Sequence, residues 1–146
     1  MHVLLINGSP HEKGCTYTAL SLVAGELNAA GITTEILNVG TKPVGGCIGC
    51  GGCAKGNGCV FGGVVNEAIE KARTADAFVF GTPVHYASAS GNMTSFLDRL
   101  AYAGGKYLAY KPAAICCSAR RAGTTATLDQ LAKYPEFFHM PLVSGS

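Results

Sequence analysis

The sequence has little net charge and no long apolar run, and each absence excludes a class of protein. Charged residues make up 14% of the 146 residues and the formal net charge is +2, so nothing indicates a nucleic-acid partner. No apolar run approaches the roughly 20 residues that a membrane span requires. The apolar N-terminal run lacks a basic flank and a small-residue cleavage site, so we do not expect it to be a signal peptide. We therefore expect a cytoplasmic protein without a membrane partner.

The composition indicates one compact domain with redox or metal chemistry. Hydrophobic residues make up 48% of the sequence, and the length suffices for one buried core. Seven cysteines are present, and in a cytoplasmic chain they favour metal or redox chemistry over a disulfide framework. The acidic residues show no paired arrangement that would indicate general acid–base catalysis.

Apolar runs and helical patterns alternate along the chain. Strands are predicted at 2–6, 33–39, 76–81, 112–118 and 141–144, and helices at 16–30, 64–74, 93–101 and 124–134. This alternation is typical of a parallel sheet covered by helices on both faces. A doubly wound domain normally adds a helix after its last strand, and this sequence stops first. We therefore expect a fragment, or a fold that a partner completes.

Three loops follow predicted strands, at the edge where open parallel sheets bind ligands. Loop 7–18 opens the first helix, where N–H groups and the helix dipole favour an anion, although it could equally be an ordinary capped turn. It matches neither the Walker A motif nor Gly-x-Gly-x-x-Gly. Loop 81–91 could support a planar ring or be a long turn. Loop 118–124 has two arginines that could meet a phosphate or stay solvated.

Motifs within and after these loops are the basis of a family resemblance. They are Gly8-Ser-Pro10 with Gly14-Cys-Thr16, then Gly81-Thr-Pro-Val-His-Tyr86, then Ser90-Gly-Asn-Met-Thr-Ser-Phe-Leu-Asp-Arg99. In order and spacing they resemble the flavodoxin-like NADPH-dependent FMN reductases, and within these the iron–sulfur flavoproteins. The resemblance implies a doubly wound five-stranded parallel sheet of order 2-1-3-4-5, with the final helix absent. It also implies one FMN-binding domain over 1–146, with a Gly/Cys-rich insertion at 40–63.

The resemblance implies FMN contacts in all three loops. The phosphate would be held by Ser9, His11, Cys15, Thr16 and Thr18. The isoalloxazine would be lined by Thr82, Pro83, Val84, His85, Tyr86 and Ala87. The other side would be closed by Ser118, Arg120 and Gly123. Three of these depart from the family, which usually has Asn, Tyr and Arg where this sequence has Cys15, His85 and His11.

The resemblance also implies an activity, because the flavin carries the chemistry and the protein orients it. Electrons would pass from NAD(P)H through FMN to a small acceptor such as a quinone or a flavin. One alternative is an iron–sulfur flavoprotein that carries electrons through a 4Fe-4S cluster to a ferredoxin-like partner. An alternative of another class is a non-enzymatic metal- or nucleotide-binding module. A homodimer or homotetramer is expected.

Four cysteines are concentrated in the insertion at the spacing C-x2-C-x2-C-x5-C. They are Cys47, Cys50, Cys53 and Cys59. Their close spacing fits a 4Fe-4S cluster, and it fits a zinc site, which usually combines two separated pairs, less well. Free or redox-active thiols are the third interpretation. Cys116 and Cys117 fall in a predicted strand, where a buried cysteine usually acts as a small hydrophobic residue.

Overall fold

The computed structural model describes residues 1–144 and contains a parallel sheet between two layers of helices. The strands are β1 (His2–Asn7), β2 (Thr33–Asn38), β3 (Ala77–His85), β4 (Ser88–Ala89) and β5 (Ala113–Ser118). The helices are α1 (Cys15–Ala29), α2 (Val64–Thr74), α3 (Gly91–Gly104) and α4 (Thr124–Phe137). The predicted insertion 40–63 contains one short 3-10 turn, Gly52–Lys55. The last two residues of the predicted domain lie outside the described residues.

The sheet has the predicted strand order. β2, β1, β3 and β5 are parallel neighbours in that sequence. Beyond β5, the chain adds a parallel bridge between Ala113 and Leu142, with Val143 N–H donating to the Ala113 carbonyl at 2.8 Å. The flavodoxin-like α/β fold is therefore confirmed, with the predicted strand 141–144 reduced to this bridge. Within residues 138–144 no further helix is present.

Alternate residues of β1 pack on opposite faces of the sheet, as the pleat of a strand requires. Val3 and Leu5 pack with Leu20 of α1 on one face. Leu4 and Ile6 join the larger core on the other face, to which α2, α3 and α4 contribute. Burial on both faces explains why this strand is an uninterrupted apolar run.

The main differences from the predicted boundaries lie beside the ligand-binding edge. β3 continues to His85, past the predicted end at Gly81. Its pairing with β1 ends where Gly81 lies opposite Asn7, so the residues after Gly81 extend beyond the end of β1. The extension pairs with β5 on one side and turns back through the two-residue antiparallel strand β4. Part of the predicted ring-binding loop is thus a strand and a tight turn. No helix among residues 1–144 is both long and apolar enough to span a membrane.

Candidate functional site

The first loop is held by a buried asparagine at the end of β1. Asn7 Nδ2 donates to Asn38 Oδ1 at 2.8 Å, and Asn7 Oδ1 accepts from the Ser9 N–H at 3.1 Å. Ser9 Oγ in turn accepts from the His11 N–H at 3.1 Å. α1 then begins after Gly14, which gives no side-chain cap. The first N–H groups of α1 therefore lack a side-chain acceptor, and the positive end of the helix dipole adjoins this loop.

Ser90 connects the first loop, the β3 extension and α3. It is 3% exposed, and its Oγ donates to the Gly8 carbonyl at 2.7 Å and accepts from the Met93 N–H at 3.3 Å. Its own N–H donates to Thr82 Oγ1 at 3.1 Å. A Cβ at Gly8 would lie 2.8 Å from the Met93 side chain, so this close approach of loop and helix requires glycine.

One pocket of about 410 Å³ joins the three predicted loops. It is lined by Ser9, His11, Gly14, Cys15, Thr16, Pro83, Val84, His85, Ser118, Ala119 and Arg120. Thr16 Oγ1 and Ser118 Oγ lie 2.8 Å apart and link the first loop to the third. A neighbouring pocket of about 300 Å³ shares His85 and is lined otherwise by Pro10, Ser90, Gly91 and Asn92. Both volumes are typical of small-molecule sites.

The structure brings most of the predicted FMN residues to this pocket, but five of them do not line it. They are Thr18, Thr82, Tyr86, Ala87 and Gly123. Thr18 Oγ1 donates back to the Gly14 carbonyl within α1. Thr82 is fully buried, with its hydroxyl donating to the Pro83 carbonyl. The roles of all the predicted residues in FMN binding stay predictions.

The other three predicted FMN residues that do not line the pocket lie at a strained turn beside it. Tyr86 and Ala87 have φ angles of 53° and 60°, which non-glycine residues seldom adopt. Gly123, at φ 99°, begins α4 against this turn, and a Cβ there would lie 2.6 Å from the Ala87 Cα. Gln130 of α4 also holds the turn, since its Oε1 accepts from Ser88 Oγ and the Ala89 N–H, both at 2.9 Å. Sequence reasoning missed Gln130, because nothing in its local pattern marks it.

The residues of the pocket fit the two ends of an FMN molecule. The uncapped start of α1, the Ser9 hydroxyl and Arg120 suit a phosphate. The strip of Pro83, Val84 and His85 provides a surface for a planar ring. Of the described residues that line the pocket, none is acidic, so no side chain there would repel a phosphate.

The four clustered cysteines share a second, smaller cavity of about 100 Å³. Cys47, Cys50, Cys53 and Cys59 all line it, together with Ile48, Gly49, Gly51, Val60, Phe61, Arg99, Tyr102 and Ala103. Gly51 and Gly56, with φ angles of 69° and 81°, flank the 3-10 turn that carries Cys53. Asn66 of α2 fixes the far end of the loop, accepting from the Cys59 N–H at 2.8 Å and donating to its carbonyl at 3.0 Å.

Arg99 of α3 reaches this cavity from the core, and sequence reasoning assigned it no role. It is 6% exposed. Its Nε donates to Cys59 Sγ at 3.2 Å. The guanidinium also donates to the carbonyls of Gly62 at 3.0 Å and Gly45 at 3.4 Å. A charged residue in a helix is normally exposed, and the only signal for this position was that Arg99 ends the motif that begins at Ser90.

The cysteine cavity supplies the number and kind of ligands that a 4Fe-4S cluster takes. All seven cysteines are free. Among residues 1–144, no three His, Cys, Asp or Glu side chains converge on a point that could hold a metal ion. In a 4Fe-4S cluster the four thiolates bind different irons. They must therefore surround a cavity rather than meet at a point, and all four cysteine residues line one cavity.

Comparison with known proteins identifies the family of the chain. The family model described as NADPH-dependent FMN reductase matches residues 1–146, and the chain belongs to that family. Over 99 residues it is 33% identical to an iron-sulfur flavoprotein of Archaeoglobus fulgidus, covering 68% of this chain and 48% of the relative. An iron-sulfur flavoprotein of Methanocaldococcus jannaschii is 30% identical over 99 residues, with 68% and 51% covered. The chain thus spans about half the length of these relatives.

Solved structures of low sequence identity share the fold. An apo NADH:FMN oxidoreductase superposes with a TM-score of 0.74 at 19% identity, covering 98% of this chain and 72% of that one. An archaeal flavodoxin superposes with a TM-score of 0.69 at 12% identity, covering 99% and 80%. These matches confirm the flavodoxin-like fold, and the family match confirms the resemblance found in the sequence.

Proposed function

We propose that the chain binds FMN in the three-loop pocket and works as an oxidoreductase, passing electrons from NAD(P)H to a small acceptor such as a quinone or a flavin. The observation that carries the proposal is the pocket itself. It combines an uncapped helix start and an arginine with an apolar strip, at the carboxyl edge of the sheet, in a member of the FMN reductase family. Ligands of open α/β sheets bind at this edge.

The residues of the chain divide the work of binding. FMN, when bound, supplies hydride acceptance and the transfer of one or two electrons. The start of α1, the Ser9 hydroxyl and Arg120 bind the phosphate. Pro83, Val84 and His85 support the ring. Ser90 keeps the first two loops in register through its bonds to Gly8 and Thr82.

The adjacent arginines of the third loop provide the test. Arg120 lines the pocket, whereas Arg121 does not. We expect Arg120→Gln to weaken FMN binding about tenfold, because a charge-assisted hydrogen bond to the phosphate is lost. Riboflavin, which has no phosphate, should bind both proteins equally, and Arg121→Gln should bind FMN as the wild type does. The measurement is a titration followed by flavin fluorescence.

Two results would count against the proposal. If the wild-type chain binds neither flavin, the non-enzymatic module becomes the better interpretation. If FMN binds but neither NADH nor NADPH bleaches the flavin absorption under anaerobic conditions, the chain is not a reductase of this type.

A second function is favoured by the cysteine cavity. We propose that the four cysteines bind a 4Fe-4S cluster that carries electrons between the flavin and a ferredoxin-like partner. The support is the single cavity lined by all four cysteine residues and the naming of two relatives as iron-sulfur flavoproteins. Anaerobic treatment with iron and sulfide should give a brown absorption that dithionite bleaches. Cys53→Ser should abolish it and Cys15→Ser should not, because Cys15 lies outside the cavity. An unchanged spectrum would leave the cysteines as thiols.

The α3–α4 face is our proposed subunit contact in a homodimer or homotetramer. Tyr102 and Phe137 are 73% and 77% exposed, and they flank a pocket of about 430 Å³ between the two helices. Large exposed apolar side chains that cluster in this way are typical of interaction sites. Sedimentation should give a mass of two or four chains, and Phe137→Ser should reduce it. A monomer at all concentrations would contradict the proposal.

We also propose a cytoplasmic location. None of the seven cysteines is paired in a disulfide, and cysteines without disulfides are typical of reducing compartments. Fractionation of cells that produce the protein should recover it with cytoplasmic markers, and recovery with membranes would contradict the proposal.

A further inference from the structure

Arg99 is a buried cation that has no buried anion beside it. Among the described residues, no carboxylate forms an ion pair with its guanidinium. The carboxylate next to it in sequence, Asp98, instead accepts a hydrogen bond from Tyr134 at 2.6 Å. The contacts of Arg99 are two carbonyl oxygens, the Cys59 sulfur and the face of Phe61, whose ring centre is 5.5 Å away.

Such a cation indicates that an anion belongs nearby. Carbonyl oxygens satisfy the N–H groups of a guanidinium, but they do not neutralise its charge. Burying a charge without a counter-charge is costly. All four clustered cysteines line the same cavity as Arg99, and the Cys59 sulfur accepts a hydrogen bond from Arg99 Nε. A centre made of four thiolates is therefore the anion that would neutralise the charge of Arg99.

The same side chain also spans both ends of the cysteine loop. Gly45 precedes the first cysteine of the cluster and Gly62 follows the last one, and the guanidinium donates to both carbonyls. Asn92, also on α3, holds the approach to the loop, since its side chain bonds the Gly40 and Lys42 carbonyls and the Val44 N–H. Helix α3 thus holds both ends of the cysteine loop. The first two cysteines of the loop, Cys47 and Cys50, remain exposed.

We propose that Arg99 is the positioning residue of the four-cysteine centre. Its guanidinium closes the loop around the centre, and its charge offsets the negative charge of the bound cluster. The inference rests on the cluster proposed above. A positive charge beside the cluster favours the reduced state, which carries one more negative charge. Loss of the charge should therefore make the cluster harder to reduce.

The test compares Arg99→Gln and Arg99→Lys with a matched control. Arg73→Gln removes an arginine that pairs with Glu70 at 2.9 Å and contacts Tyr107, and Arg73 does not line the cysteine cavity. Each protein is reconstituted anaerobically with iron and sulfide. The readouts are the iron and sulfide bound per chain, the reduction potential from a dye-coupled titration, and the rate at which a chelator removes the iron.

Arg99→Gln should lower the equilibrium constant for reduction about tenfold, which is about 59 mV for one electron. It should also lose iron at least several times faster than the wild type. Arg99→Lys keeps the charge but cannot reach both carbonyls, so we expect a potential near that of the wild type and a faster loss of iron. Arg73→Gln should match the wild type in both.

The contradicting results are distinct. If wild-type protein takes up no iron and sulfide, the cluster fails and the role of Arg99 fails with it. If the wild type loads but Arg99→Gln keeps its potential and its iron, the role of Arg99 is wrong while the cluster stands. If Arg99→Gln does not fold, Arg99→Lys decides. Loss of iron from Arg99→Lys at the wild-type rate would overturn the role of Arg99 in closing the loop.

Discussion

Gly123 begins α4 and lies against the 86–87 turn, so Gly123→Ala should disturb the fold and the flavin pocket together. The φ angle at this position is +99°, where a side chain costs roughly 1–2 kcal/mol. The added Cβ would also lie 2.6 Å from the Ala87 Cα and 2.9 Å from the Ala87 Cβ. Relieving that overlap should cost a further ~1–3 kcal/mol. We therefore expect a loss of about 2–5 kcal/mol in the free energy of unfolding.

The same overlap should weaken FMN binding, because relief requires the 86–87 turn to move away from the third loop. A loss of about 1.4 kcal/mol in binding corresponds to a tenfold rise in Kd. Gly31→Ala is the matched control. Gly31 also has a positive φ, +78°, but a Cβ there would meet nothing within 4 Å. Gly31→Ala should therefore lose only the roughly 1–2 kcal/mol that a side chain costs at a positive φ angle, and it should bind FMN as the wild type does.

Urea denaturation measures the first effect and FMN fluorescence titration measures the second. The reasoning is refuted if folded Gly123→Ala binds FMN as tightly as the wild type. It is also refuted if Gly31→Ala weakens FMN binding equally, since the effect would then not be local to the pocket.

Three further changes test the site and the strand β5 that leads to it. Ser90→Ala removes the cap of α3 and leaves the buried Gly8 carbonyl without its hydroxyl donor. The free energy of unfolding measured in urea should therefore fall by about 2–3 kcal/mol. A fall below about 0.5 kcal/mol, the least that loss of a cap costs, would contradict this. Gln130→Leu keeps nearly the same side-chain volume but removes the acceptor that holds the turn before β4. The FMN Kd should therefore rise several-fold, and an unchanged Kd would show that the turn keeps its conformation without Gln130. Burial, with a smaller contribution from the neighbouring thiol, raises the pKa of Cys116 from 9.0 to about 11, so the folded state holds this proton more tightly. The stabilisation is complete below about pH 9 and is lost as the pH rises towards 11. Cys116→Ala should therefore flatten the stability decline measured in urea between pH 8 and pH 10.5, and an equally steep decline would contradict the assignment.

The fold could be predicted because its signals are local. The buried run 2–6 and the apolar stripe of 64–74 each indicate an element without reference to the rest of the chain. The edge that carries the site follows from the parallel order of the strands. For the same reason, the three loops could be recognised as a common site before any contact between them was known.

The remaining features depend on contacts between distant residues. The extension of β3 to His85 reflects its pairing with β5 and the turn into β4, which no local pattern shows. α4 was predicted to end at about Tyr134, yet it continues through Pro135 to Phe137. The burial of Arg99 was missed, since it depends on where the cysteine loop folds back. The spacing of the four cysteines, in turn, could not distinguish a cluster from free thiols.

We propose that this chain binds FMN and uses it to accept electrons from NAD(P)H. The visible spectrum of the anaerobic protein, recorded after mixing with FMN and passage through a desalting column, tests both parts at once. Two resolved flavin bands should elute with the protein and should be bleached when NADPH or NADH is added. Protein that elutes without colour while all the FMN is retained on the column would contradict the proposal.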